Sequence, residues 1–176
     1  PGHLLTASAD GVRVRRWWST IDHLVDAPRT LDEQAEALRA IFTDAVRVRM
    51  RSDVPIGATL SGGVDSGSVV SVMGALARED TAGERAARDN RRAFTHRFAG
   101  SAFDESDLAT LVARHAGAAL RLVDMSPEDL LATVDRVITD CGLVPRMLPD
   151  NWWRIYRAHR AERVVVSLDG HGSDEL

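Results

Sequence analysis

A short apolar run, Ile56-Gly57-Ala58-Thr59-Leu60, leads directly into two adjacent glycines and then into a helical pattern. A run of this length bounded by glycine is typical of a buried strand. The same alternation continues along the chain: strands are predicted at residues 94–98, 120–123 and 164–166, and helices at residues 66–78, 105–115, 126–141 and 150–160. Strands that alternate with helices predict an α/β fold with a mostly parallel sheet.

The first 55 residues carry different signals. Residues 4–7 and 12–15 flank Asp10-Gly11, a dipeptide typical of a two-residue hairpin turn. Thr30 followed three residues later by Glu33 predicts a helix start with a capping box. This helix should end before Asp53 and Pro55, because proline disfavours helical backbone just before it.

Composition narrows the class of protein. The chain has 176 residues, enough for one domain, and a net charge of −4, which argues against a nucleic-acid binder. It contains no lysine. It also has no apolar run long enough to span a membrane and no signal peptide pattern, and for these two reasons we expect a soluble, cytoplasmic protein. Because it begins at Pro1 without a methionine and stops in a polar loop pattern, we expect a fragment of a longer protein.

Two further groups are expected to be structural. Cys141 is the single cysteine, which excludes a disulfide framework, and we expect a buried thiol at a helix end. Trp152, Trp153 and Tyr156 recur at helical spacing and are expected to pack in the core.

The junction Ser61-Gly62-Gly63-Val64-Asp65-Ser66 is the strongest functional signal. Two glycines let the backbone approach an anion closely, and the first N–H groups of the following helix have no partner within it. Together with the helix dipole, this predicts a phosphate site. Asp65 would repel a bare phosphate, which favours Mg²⁺ between the two. The Gly-Lys-Ser/Thr of a Walker loop is absent, which disfavours an ordinary P-loop enzyme.

Residues 61–66 resemble the SGGxDS loop of the ATP pyrophosphatases. The lead-in at residues 49–57, the segment FAGSAFDES at 98–106 and the segment VVVSLDGHGSDEL at 164–176 are similar to glutamine-dependent asparagine synthetases. The resemblance implies a Rossmann-like sheet of the adenine nucleotide alpha hydrolase-like type with helices on both faces. It also implies that residues 1–28 end an N-terminal amidotransferase domain and its linker, and that residues 29–176 belong to a truncated synthetase domain.

The same resemblance implies roles for individual residues. The metal ligands for Mg²⁺ would be Asp65 and Asp174. The residues that bind ATP or pyrophosphate would be Leu60, Ser61, Gly62, Gly63, Asp65, Ser66, His96, Gly172 and Ser173. His171 stands where the asparagine-forming enzymes typically carry a glutamate, and it is the candidate catalytic acid or base; a surface histidine without a role is the competing interpretation.

The implied reaction is formation of β-aspartyl-AMP and pyrophosphate from aspartate and ATP, followed by amidation with ammonia from a glutaminase domain. The partners are therefore ATP, aspartate or another carboxylate, and ammonia, with no nucleic acid and no membrane; a homodimer is compatible with the sequence. We expect this fragment alone to be inactive. Alternatives are a relative of the β-lactam synthetases or lasso-peptide cyclases, which share the adenylation, and a non-catalytic nucleotide-binding module.

Overall fold

The computed structural model describes residues 1–79, 91–142 and 150–172. Contacts divide the chain into two compact units, Pro1–Ala40 and Ile41–Leu176. In chain order the elements are β1 (His3–Ser8), β2 (Gly11–Arg16), a short 3-10 helix (Thr20–His23), α1 (Leu31–Arg49), β3 (Ile56–Thr59), α2 (Val64–Arg78), β4 (Arg92–Arg97), α3 (Ser106–Ala116), β5 (Ala119–Asp124), α4 (Pro127–Cys141), α5 (Asp150–Ala161) and β6 (Val166–Leu168).

The first unit contains the predicted hairpin. Strands β1 and β2 pair in an antiparallel register in which Ser8 faces Gly11, so the two-residue turn is Ala9-Asp10 and the prediction of Asp10-Gly11 is wrong by one position. Gly11 has a φ of +123°, which only glycine adopts readily, and this explains why it sits where the chain leaves the turn.

Helix α1 begins as the capping box predicts. The Glu33 N–H donates to the Thr30 hydroxyl at 3.3 Å, and the Glu33 carboxylate accepts from the Thr30 N–H at 3.2 Å. The hydrogen bonds from Thr30 lower the pKa of the exposed Glu33 carboxyl. At the other end of the helix, Val46 and the following Met50 are buried in the core of the second unit.

The second unit is built on a four-stranded parallel sheet with the order β5-β4-β3-β6. The predicted α/β class with a parallel sheet is therefore confirmed. The chain moves outward from β3 to β4 and β5 and then returns to place β6 on the other side of β3. Strand order thus reverses at β3, and ligands of open α/β sheets bind at such a switch point, beyond the carboxyl ends of the strands.

Helices cover both faces of this sheet. Along β4 the neighbouring residues point to opposite faces: Ala93 packs with α2 and α3, whereas Phe94 packs with Ile155 of α5. The larger core cluster consists of Val46, Met50, Ile56, Ala58, Leu60, Val69, Val70, Met73, Leu76, Ala93, Ala109, Ala113 and Ala116. Each large aliphatic side chain buried in this way contributes about 1.5–3 kcal/mol of folding free energy.

The predicted helices and strands are all present where the structure describes the chain, with shifted ends. Helix α2 begins at Val64, two residues before the predicted start, and β6 is Val166–Leu168 where 164–166 was predicted. Val164 is buried but precedes the strand, since its N–H donates to the His159 carbonyl at the end of α5. Among the described residues, none of the helices is long and apolar enough to cross a membrane.

Candidate functional site

A cleft of about 630 Å³ opens at the carboxyl end of the sheet, at the switch point. The loop after β3 forms one wall, the start of α2 forms the floor, and the residues after β6 form the opposite wall. Its lining residues are Thr59, Leu60, Ser61, Gly63, Val64, Asp65, Ser66, His96, Glu105, Trp152, Asp169, Gly170 and His171. The segments at 61–66 and 169–171, far apart in sequence, therefore meet at one site.

The glycine loop is held by its own two serines. The Ser66 hydroxyl accepts from the Ser61 N–H at 3.1 Å and lies 2.9 Å from the Ser61 hydroxyl. The Ser61 hydroxyl in turn accepts from the Gly63 N–H at 3.2 Å. Gly63 is the N-cap of α2 and makes no side-chain cap, so the helix N-terminus opens into the cleft. A helix N-terminus exposed in this way attracts anions.

Two glycines are required by close backbone approach. Gly62 has a φ of +90°, and a Cβ at this position would lie 2.9 Å from the Leu108 Cβ and 3.0 Å from the Ala109 nitrogen. Gly62 therefore lies against the start of α3. A Cβ on Gly170 would lie 2.5 Å from the Ser66 nitrogen and 2.8 Å from the Asp65 carbonyl carbon. The segment after β6 is thus seated directly on the first turn of α2.

Asp169 follows β6 directly and is fixed by hydrogen bonds from β3 and from β6 itself. Its Oδ1 accepts from the Ser167 hydroxyl at 2.8 Å and from the Thr59 N–H at 3.2 Å. The Ser167 hydroxyl also lies 3.2 Å from Nε2 of His159, a side chain that is only 4% exposed. The Tyr156 hydroxyl is a further hydrogen-bond partner of Asp169. Burial, followed by the nearby Asp169 charge and this hydrogen bond, raises the pKa of Tyr156.

Aromatic rings form the wall between β4 and the segment after β6. The Trp152 ring lies 4.4 Å from the His171 ring, 6.2 Å from the His96 ring and 5.9 Å from the Tyr156 ring, measured between centroids. Trp152 also packs against the core cluster of Phe94 and Ile155, as predicted. The core prediction is wrong for Tyr156, which is 46% exposed and contacts Trp152 through its ring.

The described lining is acidic. It contains the carboxylates of Asp65, Glu105 and Asp169, and within residues 1–79, 91–142 and 150–172 no arginine lines it. These carboxylates are spread over the two walls, and the described part of the chain holds no group of three acidic, histidine or cysteine side chains close enough to bind a metal ion together. A polyanion in this cleft would therefore need added cations as well as the N-terminus of α2.

The structure brings most of the predicted site residues together. Leu60, Ser61, Gly63, Asp65, Ser66, His96 and His171 line the cleft. Gly62 belongs to the same loop but packs against the start of α3. Gly172 follows His171 and has a φ of +92°. Ser173 and Asp174 lie outside the described residues, as does the Cys141 side chain. The roles assigned to these residues stay predictions.

Sequence reasoning did not assign six residues of the lining to the site: Thr59, Val64, Glu105, Trp152, Asp169 and Gly170. Asp169 and Gly170 belong to the segment after the last strand, so their position in a parallel sheet was the signal that could have found them. Glu105 gave no such signal, because it reaches the cleft only through the packing of α3 on the glycine loop.

The fold and the site define a class of protein: an open α/β domain with a glycine loop and a helix N-terminus at the switch point of its sheet. The family model described as asparagine synthase matches residues 37–176. The chain therefore belongs to the asparagine synthase family, and the sequence resemblance is confirmed.

Individual relatives are named either as amidases or as asparagine synthetases. The amidase chyE of Penicillium rubens is 28% identical over 183 aligned residues, which cover 99% of this chain and 27% of that protein. The amidase chry2 of Gibberella zeae is 33% identical over 155 residues, with 84% and 23% covered. The glutamine-hydrolyzing asparagine synthetase 1 of Bacillus subtilis is 32% identical over 149 residues, with 82% and 21% covered. The chain thus spans 21–27% of the length of these relatives.

Proposed function

We propose that residues 29–176 belong to an ATP-dependent, amide-forming synthetase domain, and that residues 1–28 end a preceding amidotransferase domain and its linker. The observation that carries the proposal is the glycine loop of residues 61–66, which opens the N-terminus of α2 into a cleft at the switch point of a parallel sheet. The family match over residues 37–176 supports the same reading.

The proposed reaction has two steps. A carboxylate oxygen of aspartate, or of another acid, attacks the α-phosphorus of ATP, and the bond to the β-phosphate breaks to release pyrophosphate. Ammonia then attacks the carbonyl carbon of the β-aspartyl adenylate, AMP leaves, and one proton is released with asparagine. The first step makes the second feasible, because AMP is a much better leaving group than the oxygen of a free carboxylate.

In this scheme the loop at Ser61–Ser66 and the first turn of α2 bind the pyrophosphate, while the backbone at Leu60 and His96 contacts adenine. Three carboxylates in the described lining support a requirement for divalent cations with ATP. Asp65 would hold Mg²⁺ together with the predicted ligand Asp174, and the ion would offset the charge that gathers on pyrophosphate.

His171 is proposed as a proton acceptor for the attacking amine. Its ring lines the cleft and is positioned by the Trp152 ring at 4.4 Å. Imidazole has the proton affinity that this role needs near neutral pH.

The names of two relatives favour a second candidate, in which the protein performs amide chemistry other than asparagine formation. Both are called amidases, at 28% and 33% identity. Hydrolysis of an amide requires no ATP, whereas formation of a different amide through an adenylate, as in the β-lactam synthetases and lasso-peptide cyclases, does. The nitrogen donor and the carboxylate therefore have to be tested separately from the adenylation.

The test is carboxylate-dependent exchange of labelled pyrophosphate into ATP by the full-length protein, with aspartate and a panel of other acids. Asp65→Ala should abolish the exchange. Asp53→Ala is the matched control, because Asp53 is exposed and precedes β3, at the amino end of the strands and opposite the cleft, and this variant should retain the exchange. Absence of exchange with every acid would overturn the proposal, and exchange with an acid other than aspartate would redirect it to the specialised relatives.

A further inference from the structure

A groove separate from the cleft is lined by α4 and α5. Its volume is about 700 Å³, and its described lining consists of Arg136, Asp140, Trp153, Tyr156, Arg157 and Arg160. We call it the arginine groove. Three of these six residues are arginines, although the chain as a whole carries a net charge of −4. The arginine groove is therefore a local positive site on an acidic chain, and such a site attracts anionic partners.

The lining residues form a strip along two helices. On α5 they recur at positions 153, 156, 157 and 160, a spacing that places them on one face of the helix. Arg136 and Asp140 are four residues apart and share a face of α4 in the same way. The strip extends over about 10 Å of α5, since each residue advances a helix by about 1.5 Å. The charges of the groove are therefore spread along a line and do not converge on one point.

The arginine groove already holds one carboxylate, that of Asp140. Its Oδ2 accepts from Nε1 of Trp153 at 3.0 Å and from Nε of Arg136 at 3.0 Å. These two hydrogen bonds, with the nearby charges of Arg136 and Arg157, lower the pKa of Asp140. The Arg157 guanidinium is oriented by the Trp153 ring, whose centroid lies 4.6 Å away. Asp140 thus shows how the side chains of this groove bind an acid.

Two guanidinium groups of the groove are left for an external anion. Within the described ranges, Arg157 and Arg160 form no salt bridge with a carboxylate, and both are exposed. Arginine pairs well with carboxylates, because two parallel N–H groups match the two carboxylate oxygens. A compact polyphosphate fits less well, since its dense charge would be repelled by Asp140 in the same groove. Carboxylates spaced along an extended chain can avoid that repulsion.

We propose that the arginine groove docks an acidic, extended segment of a second protein. Carboxylates of the segment would pair with Arg157 and Arg160, and the complementary charge would select the partner. Tyr156 separates the groove from the cleft, because it lines the groove while its hydroxyl is hydrogen-bonded to Asp169, which lines the cleft. The docked partner would therefore lie directly beside the cleft.

The direct test is fluorescence anisotropy with the full-length protein. The probe is a labelled peptide of alternating glutamate and glycine, and the neutral control is the peptide of equal length with glutamine in place of glutamate. The wild type should bind the glutamate peptide in preference, and added salt should weaken this binding. Arg157→Gln combined with Arg160→Gln should weaken it by about tenfold, the expected loss for two partly shielded ion pairs.

Asp140→Asn is expected to act in the opposite direction. Loss of its charge removes a repulsion and frees Arg136 for the peptide, while the amide oxygen can still accept from Trp153. Binding of the glutamate peptide should become stronger by about threefold. The matched control is Arg13→Gln combined with Arg15→Gln, which removes two charges from exposed positions on β2 and should leave binding unchanged. Urea unfolding of each variant checks that it is folded.

The other outcomes overturn the proposal. Equal affinity for the two peptides, unchanged binding in the double variant on α5, or an equal loss in the control on β2 would reject the groove as the binding site, as would weaker binding in Asp140→Asn. Tighter binding of inorganic triphosphate or of oligouridine through the same arginines would assign the groove to a phosphate ligand or to RNA. No peptide binding at all would show that the full-length protein closes the groove. Because the assay requires no turnover, its result is independent of pyrophosphate exchange.

Discussion

Gly170→Ala is predicted to separate the two walls of the cleft. The added Cβ would lie 2.5 Å from the Ser66 nitrogen and 2.9 Å from the Ser66 Cα, and both are backbone atoms of α2 that cannot rotate away. To reach even the shortest tolerated separation of 3.0 Å, the segment after β6 has to move away from α2 by about half an ångström. Overpacking of this kind costs about 1–3 kcal/mol. If that cost falls on the nucleotide-bound state, ATP affinity decreases by about fivefold or more.

The assay is isothermal titration of ATP into the full-length protein, together with urea unfolding to measure the free energy of unfolding. The control is Gly67→Ala in α2, where the new Cβ would lie 3.7 Å from the Val112 Cγ2, an ordinary contact. Because alanine is the better helix former by about 1 kcal/mol, this control should be neutral or stabilising. Wild-type ATP affinity and stability in Gly170→Ala would refute the claim that the segment after β6 is seated on α2.

Three further perturbations test other parts of the account. Gly74→Ala should lower the free energy of unfolding in urea by about 1–3 kcal/mol. The new Cβ would clash with the Ala116 carbonyl oxygen and lie 2.9 Å from the Ala116 Cα, so α2 would have to move away from α3. A change below about 0.5 kcal/mol would contradict this packing. Thr30→Ala should lose about 1 kcal/mol by removing the capping box, and Thr30→Ser should restore most of it; equal stability of the two variants would contradict the role of the hydroxyl. Tyr156 is the single tyrosine of the chain, so absorbance near 295 nm in the 176-residue chain should report a pKa above the ordinary value of about 10, and Asp169→Asn should lower it toward that value. A raised pKa means that the fold favours the neutral phenol of Tyr156. The contribution of this group to the free energy of unfolding is therefore fully present below about pH 10 and is lost as the pH rises through the pKa of the folded state. An unchanged titration in Asp169→Asn would contradict the influence of Asp169 on Tyr156.

The order of strands and helices followed from local patterns, since each apolar run and each amphipathic segment is marked by its own residues. The glycine loop was found for the same reason. Gly62, Gly63 and Asp65 lie in the short segment that joins the end of the β3 pattern directly to the start of the α2 pattern. Local signals therefore predicted both the fold class and most of the lining that the glycine loop contributes to the cleft.

The opposite wall depends on long-range packing. Asp169 reaches the site because β6 pairs with β3 and because the Thr59 N–H donates to its carboxylate, and neither of these contacts leaves a short-range pattern. Trp152 was predicted as core, and it does pack against Phe94 and Ile155, but its other edge faces the cleft. A single helical periodicity does not distinguish a ring that is only buried from one that also borders a ligand site.

The measurement that tests the central claim most directly is ³¹P NMR of the phosphorus products formed from ATP by the full-length protein with a carboxylate and ammonia. Cleavage between the α- and β-phosphates predicts AMP and pyrophosphate in equal amounts, with formation of one amide per ATP and loss of both products in Asp65→Ala. Release of ADP and phosphate would contradict the proposed adenylation. Turnover of an amide with ATP left intact would likewise contradict it and would identify the protein as a hydrolase.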